Sequence, residues 1–122
     1  MRISLVLATV GRVDVVGRCL DSLRAQTDKD FEVLFLPLPP PSTLEHLIGG
    51  PPSSALNLPH IRLESHGLSR ARNIGISEAI GDIVGLTVDD GWYETESMEY
   101  VRRAFQAHPN AQGIFGRWVA PY

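Results

Sequence analysis

The chain has 122 residues, 43% hydrophobic and 20% charged, with a formal net charge of −3. That length suits one domain with a real core of modest stability, and the charge gives no general attraction to nucleic acid or an anionic membrane. The single cysteine, Cys19, excludes an internal disulfide. No apolar run reaches the ~20 residues of a transmembrane helix. Residues 1 to 10 lack a signal-peptide pattern, so the expected compartment is the cytoplasm. Ten of the eleven basic residues are arginine, the better fork for phosphate oxygens.

Arg2 to Ala8, "RISLVLA", reads as a buried strand. After "TVGR" comes a helix on which Val16, Cys19, Leu20 and Leu23 form one apolar stripe, with Asp14 as its expected N-cap. Cys19 is a small core residue on that stripe. Phe31 to Leu36 is a second strand, and strand, helix, strand at this spacing implies a parallel sheet.

Residues 37–59 hold seven of the nine prolines and read as a loop insert, with one short helix in "STLEHLIG". "HIRLE" (60–64) is a third strand. "SRARNIGISEAIG" reads as a helix with Ser69 as N-cap, Ile76, Ala79 and Ile80 on its inner face, and Gly81 as its C′ stop. Asp82 to Val88 is a fourth strand. A last helix opens at Thr95 or Glu96, shows Met98, Val101 and Phe105 inward, and ends at His108-Pro109. "QGIFGRWV" (112–119) reads as a final strand. The sum is an α/β fold, a mostly parallel sheet with helices on both faces.

In such a sheet, ligands bind beyond the carboxyl ends of the strands. There the sequence places Thr9, Gly11 and Arg12, then Pro37, then His66 and a helix start with Ser69, Arg70 and Arg72. After the fourth strand come Asp89 and Asp90. Two adjacent carboxylates repel unless water, a proton or a cation relieves them. They would hold a hard cation such as Mg²⁺ or Mn²⁺ with phosphate oxygens completing its shell, while arginine and a helix N-terminus neutralise the remaining phosphate charge. The pattern points to a metal-bound diphosphate. Each piece also has an ordinary reading: a turn for Asp89-Asp90, solvated helix residues for Arg70 and Arg72, a loop histidine for His66, loop packing for Trp92 and Tyr93.

The chain resembles the N-terminal half of a family 2 glycosyltransferase of GT-A fold. Three segments carry the resemblance: "SLVLATVGRVDVVGRCLDSLRAQTDKDFEVLFL", "GLSRARNIGISEAIGDIVGLTVDD" and "DDGWYETESMEYVRRAFQAHPNAQGIFGR". The resemblance implies a GT-A-like domain over 1–122 that binds a nucleotide-diphosphate sugar and transfers the sugar to a saccharide or lipid-linked acceptor, as in cell-envelope polysaccharide synthesis. Thr9, Arg12, Ser69, Arg72 and Asp89 would bind the nucleotide sugar. Asp90, as principal ligand, and Asp89 would hold Mg²⁺ or Mn²⁺. No nucleic acid is implied.

Three departures matter. Val88 stands at the first position of the acidic motif, Pro37 stands where an aspartate reads the base, and the acceptor-binding half with its catalytic base has no counterpart. Neither Val88 nor Pro37 offers a side-chain hydrogen bond to the donor. The alternative is therefore a degenerate, non-catalytic relative, a nucleotide-sugar-binding or interaction module needing a partner chain or a second copy through Trp118 and the final strand. The chain alone is expected to have low or no transferase activity. An unrelated flavodoxin-like or receiver-like domain fits poorly: a receiver's acidic pair follows its first strand and a late lysine is required, whereas Lys29 is the only lysine.

Overall fold

The computed structural model describes residues 1–9, 13–37, 67–88 and 90–117. The described elements are β1 (Ile3–Thr9), α1 (Val13–Arg24), β2 (Phe31–Pro37), α2 (Leu68–Glu78), β3 (Ile83–Thr87) and α3 (Ser97–Ala107). The strand and short helix expected within 38–66 lie outside the described residues.

Every residue of β1 is buried, as a central parallel strand requires. The strand order is β2-β1-β3, with both pairings parallel. Ile3 lies opposite Phe31 on one side and Ile83 on the other, and Thr9 opposite Pro37. The pleat sends alternate side chains to opposite faces. Ile3, Leu5 and Leu7, with Phe31, Val33 and Phe35 of β2, meet Val16, Cys19, Leu20 and Leu23 of α1 and Met98 of α3. Val101 and Phe105 close the edge of that cluster. Val6, Ala8, Leu34 and Leu36 face the other way, against Ala71 and Ile74 of α2 and Ala79 just beyond it. The α1 and α3 stripes are those read from the sequence, and helices cover both faces.

Of the expected inner face of α2, Ala79 packs inward, but Ile76 is 43% and Ile80 69% exposed, and Ala71 and Gly75 are the buried residues. The helix lies too close to the sheet for large side chains: a Cβ on Gly75 would sit 2.5 Å from Val6 Cγ1 and 3.1 Å from Leu36 Cδ1. At Gly75 only the absence of a side chain permits that approach, and Ile74 packs at its edge.

The caps also differ. Asp14 lies within the first turn of α1 rather than at its N-cap, where its charge still meets the positive end of the helix. Gly67, not Ser69, caps α2. The helix ends at Glu78, three residues before Gly81, whose N–H instead donates to Ser4 Oγ at 2.8 Å. The expected strand over 112–119 does not form in its described part, 112–117. Alternating side chains make a strand only where a neighbour takes up the backbone groups, and Phe115 is 99% exposed.

The amino ends of the strands are tied by polar contacts. Ser4 Oγ donates to Glu32 Oε2 at 2.6 Å, and the Ile80 N–H donates to the same oxygen at 3.1 Å. Arg102 of α3 forks onto Asp28 at 2.7 and 3.1 Å, donates to the Asp30 carbonyl at 2.9 Å, and reaches the Met1 carbonyl. Its guanidinium holds the Asp28 carboxyl below the usual aspartate range, and Asp28 in turn raises Arg102.

Candidate functional site

The parallel strands deliver their carboxyl ends to one rim. β1 ends there in Thr9, which is buried. β3 ends in Thr87, followed by Val88 and, past Asp89, by Asp90. Helix α2 runs down from this rim, since its far end connects to the Ile80–Asp82 contacts at the amino ends of the strands. Its N-terminus therefore opens at the rim. There Gly67 has φ 131°, in a region that favours glycine, and its carbonyl accepts the first helical bond from Ala71 N–H at 3.0 Å. Gly67 offers no side-chain cap, and among the described residues the first-turn N–H groups have no side-chain acceptor.

Ser69 and Arg70 are exposed in that turn, and Arg72 is half-buried. The Nε of Arg72 is shielded from solvent without a hydrogen-bond acceptor. Arg2 Nε shares that condition at the opposite end of the sheet, so shielding alone does not mark a ligand site. Arg72 differs in its place: it stands at the start of the second turn of α2, on the helix whose N-terminus opens at the rim. Asp90 is exposed and makes no ion pair or hydrogen bond among the described residues. Thr9, Ser69, Arg72 and Asp90 are thus brought to one rim. Arg12, His66 and Asp89 lie outside the described residues.

A standing metal centre is not built among the described residues, since no group of three histidine, cysteine or carboxylate side chains comes together. Asp90 still fits a hard divalent ion: it is an exposed carboxylate on the rim, and Mg²⁺ commonly takes one or two carboxylates, completing its shell with phosphate and water. The residues present suit an ion that arrives with its ligand.

The segment after β3 is held in a way the sequence reading missed. Thr87 Oγ1 and Tyr93 OH lie 2.8 Å apart, closing the base of the loop that carries Asp90. Burial pushes the Tyr93 phenol up, so it stays protonated in the neutral range. The same segment then descends along α1. Cys19 Sγ contacts the Val88 carbonyl at 3.7 Å, and Ser22 Oγ accepts from Tyr93 N–H at 3.0 Å. Gln26 Nε2 donates to the Glu94 carbonyl at 2.6 Å, while its Oε1 accepts from Met98 N–H at 3.0 Å. Thr27 N–H donates to the Thr95 carbonyl at 2.9 Å. Near the rim, the Arg18 guanidinium sits 4.9 Å from the centre of the Trp92 ring. The available signal was spacing: Arg18 and Ser22 stand four apart on α1 next to Cys19 of the apolar stripe, and Gln26 follows just past the helix end.

Residues 39–121 match the family described as Glycosyl transferase family 2. Among solved structures, S. aureus TarS is similar at 22% identity and a TM-score of 0.82, over 99% of this chain and 23% of that one. TarS 1-349 in complex with UDP is similar at 22% identity and 0.82, over 98% of this chain and 38% of that one. Its complex with UDP-GlcNAc gives 22% and 0.82, over 98% and 37%. The likeness is one of fold, and the chain spans between about a quarter and two-fifths of the length of those structures. No curated protein matches the chain. No helix among the described residues is long and apolar enough to cross a membrane.

Proposed function

The chain belongs to glycosyl transferase family 2, and from that premise we propose that it binds a nucleotide-diphosphate sugar at the carboxyl-end rim of the sheet and presents the sugar for transfer to a saccharide or lipid-linked acceptor. The observation that carries this reading is the meeting, on one rim, of the uncapped α2 N-terminus bearing Arg72 and the exposed carboxylate of Asp90. One is suited to phosphate oxygens and the other to a cation bridging to them. The fold neighbour TarS was solved with UDP and with UDP-GlcNAc, which makes UDP the first nucleotide to test.

In this reading Arg72 and the N–H groups of the first α2 turn take diphosphate oxygens. Ser69 donates a hydroxyl there and Arg12 contacts the nucleotide, while buried Thr9 supports the rim from beneath. Asp90, with Asp89, holds Mg²⁺ or Mn²⁺. When bound, that ion supplies charge neutralisation and Lewis acidity at the leaving diphosphate. No residue is assigned as the acceptor's base, so the chain's own part is to bind and orient the donor.

A second reading, a binding module without transfer, is favoured by Val88. It stands where the resemblance expects an acid, and its side chain is 41% exposed beside Asp90 with no polar atom to offer. Calorimetry of UDP, GDP and dTDP with and without Mn²⁺ tests donor binding. Mn²⁺-dependent binding of one of them, lost in Asp90→Ala, is the expected result. No binding to any of the three overturns the donor reading. Steady transfer from a bound nucleotide sugar by the chain alone would set the second reading aside.

A further inference from the structure

Asp90 stands on a loop whose ends are fixed by groups that have no part in binding. The stem of that loop is the pair Thr87 and Tyr93, joined side chain to side chain at 2.8 Å. Thr87 is 2% exposed and Tyr93 packs against the α1 cluster, so the bond is sheltered from competing water. Directly beside it, the Tyr93 backbone N–H is held by Ser22 Oγ at 3.0 Å. That hydroxyl in turn donates to the Cys19 carbonyl at 2.7 Å within α1. Ser22 thus uses its proton on its own helix and its lone pair on the loop. Below, buried Gln26 satisfies the Glu94 carbonyl and the Met98 N–H together, so the strand-to-helix segment is fastened along its length to α1.

We propose that Ser22 and Tyr93 are positioning residues that fix the acidic loop after β3 on helix α1 and thereby set the place of Asp90 at the donor site. This rests on the donor-site reading above. Both side chains are engaged within the protein. Tyr93 spends its hydroxyl on Thr87, and Ser22 lies between two turns of α1 and the loop stem. Each acts through the backbone that carries Asp90. A carboxylate on a short loop with both ends pinned meets a cation without first ordering itself, and groups that orient ligands in this way commonly change metal affinity by about 10–100-fold when removed.

The test uses the whole chain and the variants Tyr93→Phe, Ser22→Ala and Ser22→Thr. UDP binding in the presence of Mn²⁺ is measured by calorimetry, unfolding by urea on the same samples, and amide exchange at Tyr93 by NMR. Tyr93→Phe and Ser22→Ala are expected to weaken Mn²⁺-dependent UDP binding about tenfold. The Tyr93 amide should exchange faster in Ser22→Ala, and Ser22→Thr, which keeps the hydroxyl, should restore both. A merely structural role would lower the urea midpoint and leave the affinity of the folded chain as it was. Unchanged affinity in the variants of a chain that binds UDP therefore overturns this inference alone, as does an equal loss in Ser22→Thr. Absence of binding by the unsubstituted chain overturns the donor-site reading, and this inference falls with it.

Discussion

The two ends of the sheet use the same residue types for opposite purposes. At the amino ends of the strands, carboxylates are given donors: Arg102 forks onto Asp28, the Arg2 backbone N–H donates to Asp82, and buried Glu32 accepts from Ser4 and Ile80. At the carboxyl ends, Asp90 is exposed without a partner among the described residues; Arg72 keeps a shielded Nε without an acceptor there, as Arg2 does at the amino ends. The first end ties α3 and the α2–β3 connection to the sheet. On the proposed donor-site reading, the second would seat a cation at Asp90 and an anion at Arg72, and folding and binding would be separated along the strand axis.

The sharpest way to break the contrast is at the amino end. Arg102→Ala leaves the Asp28 carboxylate, whose side chain is only 17% exposed, without its fork. A loss of about 3 kcal/mol is expected in urea unfolding, at the lower end for breaking a shielded pair. UDP affinity of the folded chain should stay unchanged. A loss under about 0.5 kcal/mol would reduce the pair to an ordinary surface contact.

The reverse experiment works at the rim. Asp90→Ala should lower Mn²⁺-dependent UDP affinity about 100-fold, roughly 2.7 kcal/mol, with stability unchanged to within about 0.5 kcal/mol. Calorimetry and urea unfolding on one sample separate the two. Arg72→Met is expected to have a smaller effect, about tenfold in UDP affinity with or without Mn²⁺. It removes a shielded donor without an acceptor, so the unfolding midpoint should hold or rise. A fall in stability without a fall in affinity would make Arg72 a residue of the amino-end kind.

The contrast also explains what could be read from the sequence. β1 and the α1 stripe were legible because seven consecutive buried positions and a 3.6-residue period leave few alternatives. The rim was legible because a parallel sheet orders its strand ends, which put Asp90 and the α2 start together before any coordinates. The inner face of α2 was not. Ile76 and Ile80 are the larger apolar residues, and hydrophobicity favours them, but the approach to Val6 selects Ala71 and Gly75. The final strand failed because alternation at 112–117 says nothing about a neighbour to pair with. The anchoring of the acidic loop was hidden for a third reason. Ser22 and Tyr93 stand 71 positions apart, and a serine in a helix gives no sign of which distant N–H it will hold.

The smallest effect tests the amino end by pH. Arg102 depresses Asp28 below the ordinary aspartate value of 3.8, chiefly through the hydrogen-bonded fork. The folded carboxyl therefore releases its proton more readily than the unfolded one. The stability this contributes is fully present above the unfolded value and is lost as pH falls through the lower, folded one. Other carboxylates add their own acid dependence, so the informative quantity is the difference between the native chain and Arg102→Ala. That difference should be constant from pH 7 to about 5, then narrow as pH falls below about 4 and Asp28 takes up its proton in the folded state. Urea unfolding at half-unit pH intervals would follow it. A difference that stays constant down to pH 2 would mean that Arg102 contributes through its contacts to the Asp30 and Met1 carbonyls, not through the Asp28 charge. The amino end would then be held by neutral hydrogen bonding, and the division of the sheet into a charge-paired end and an open end would lose its electrostatic half.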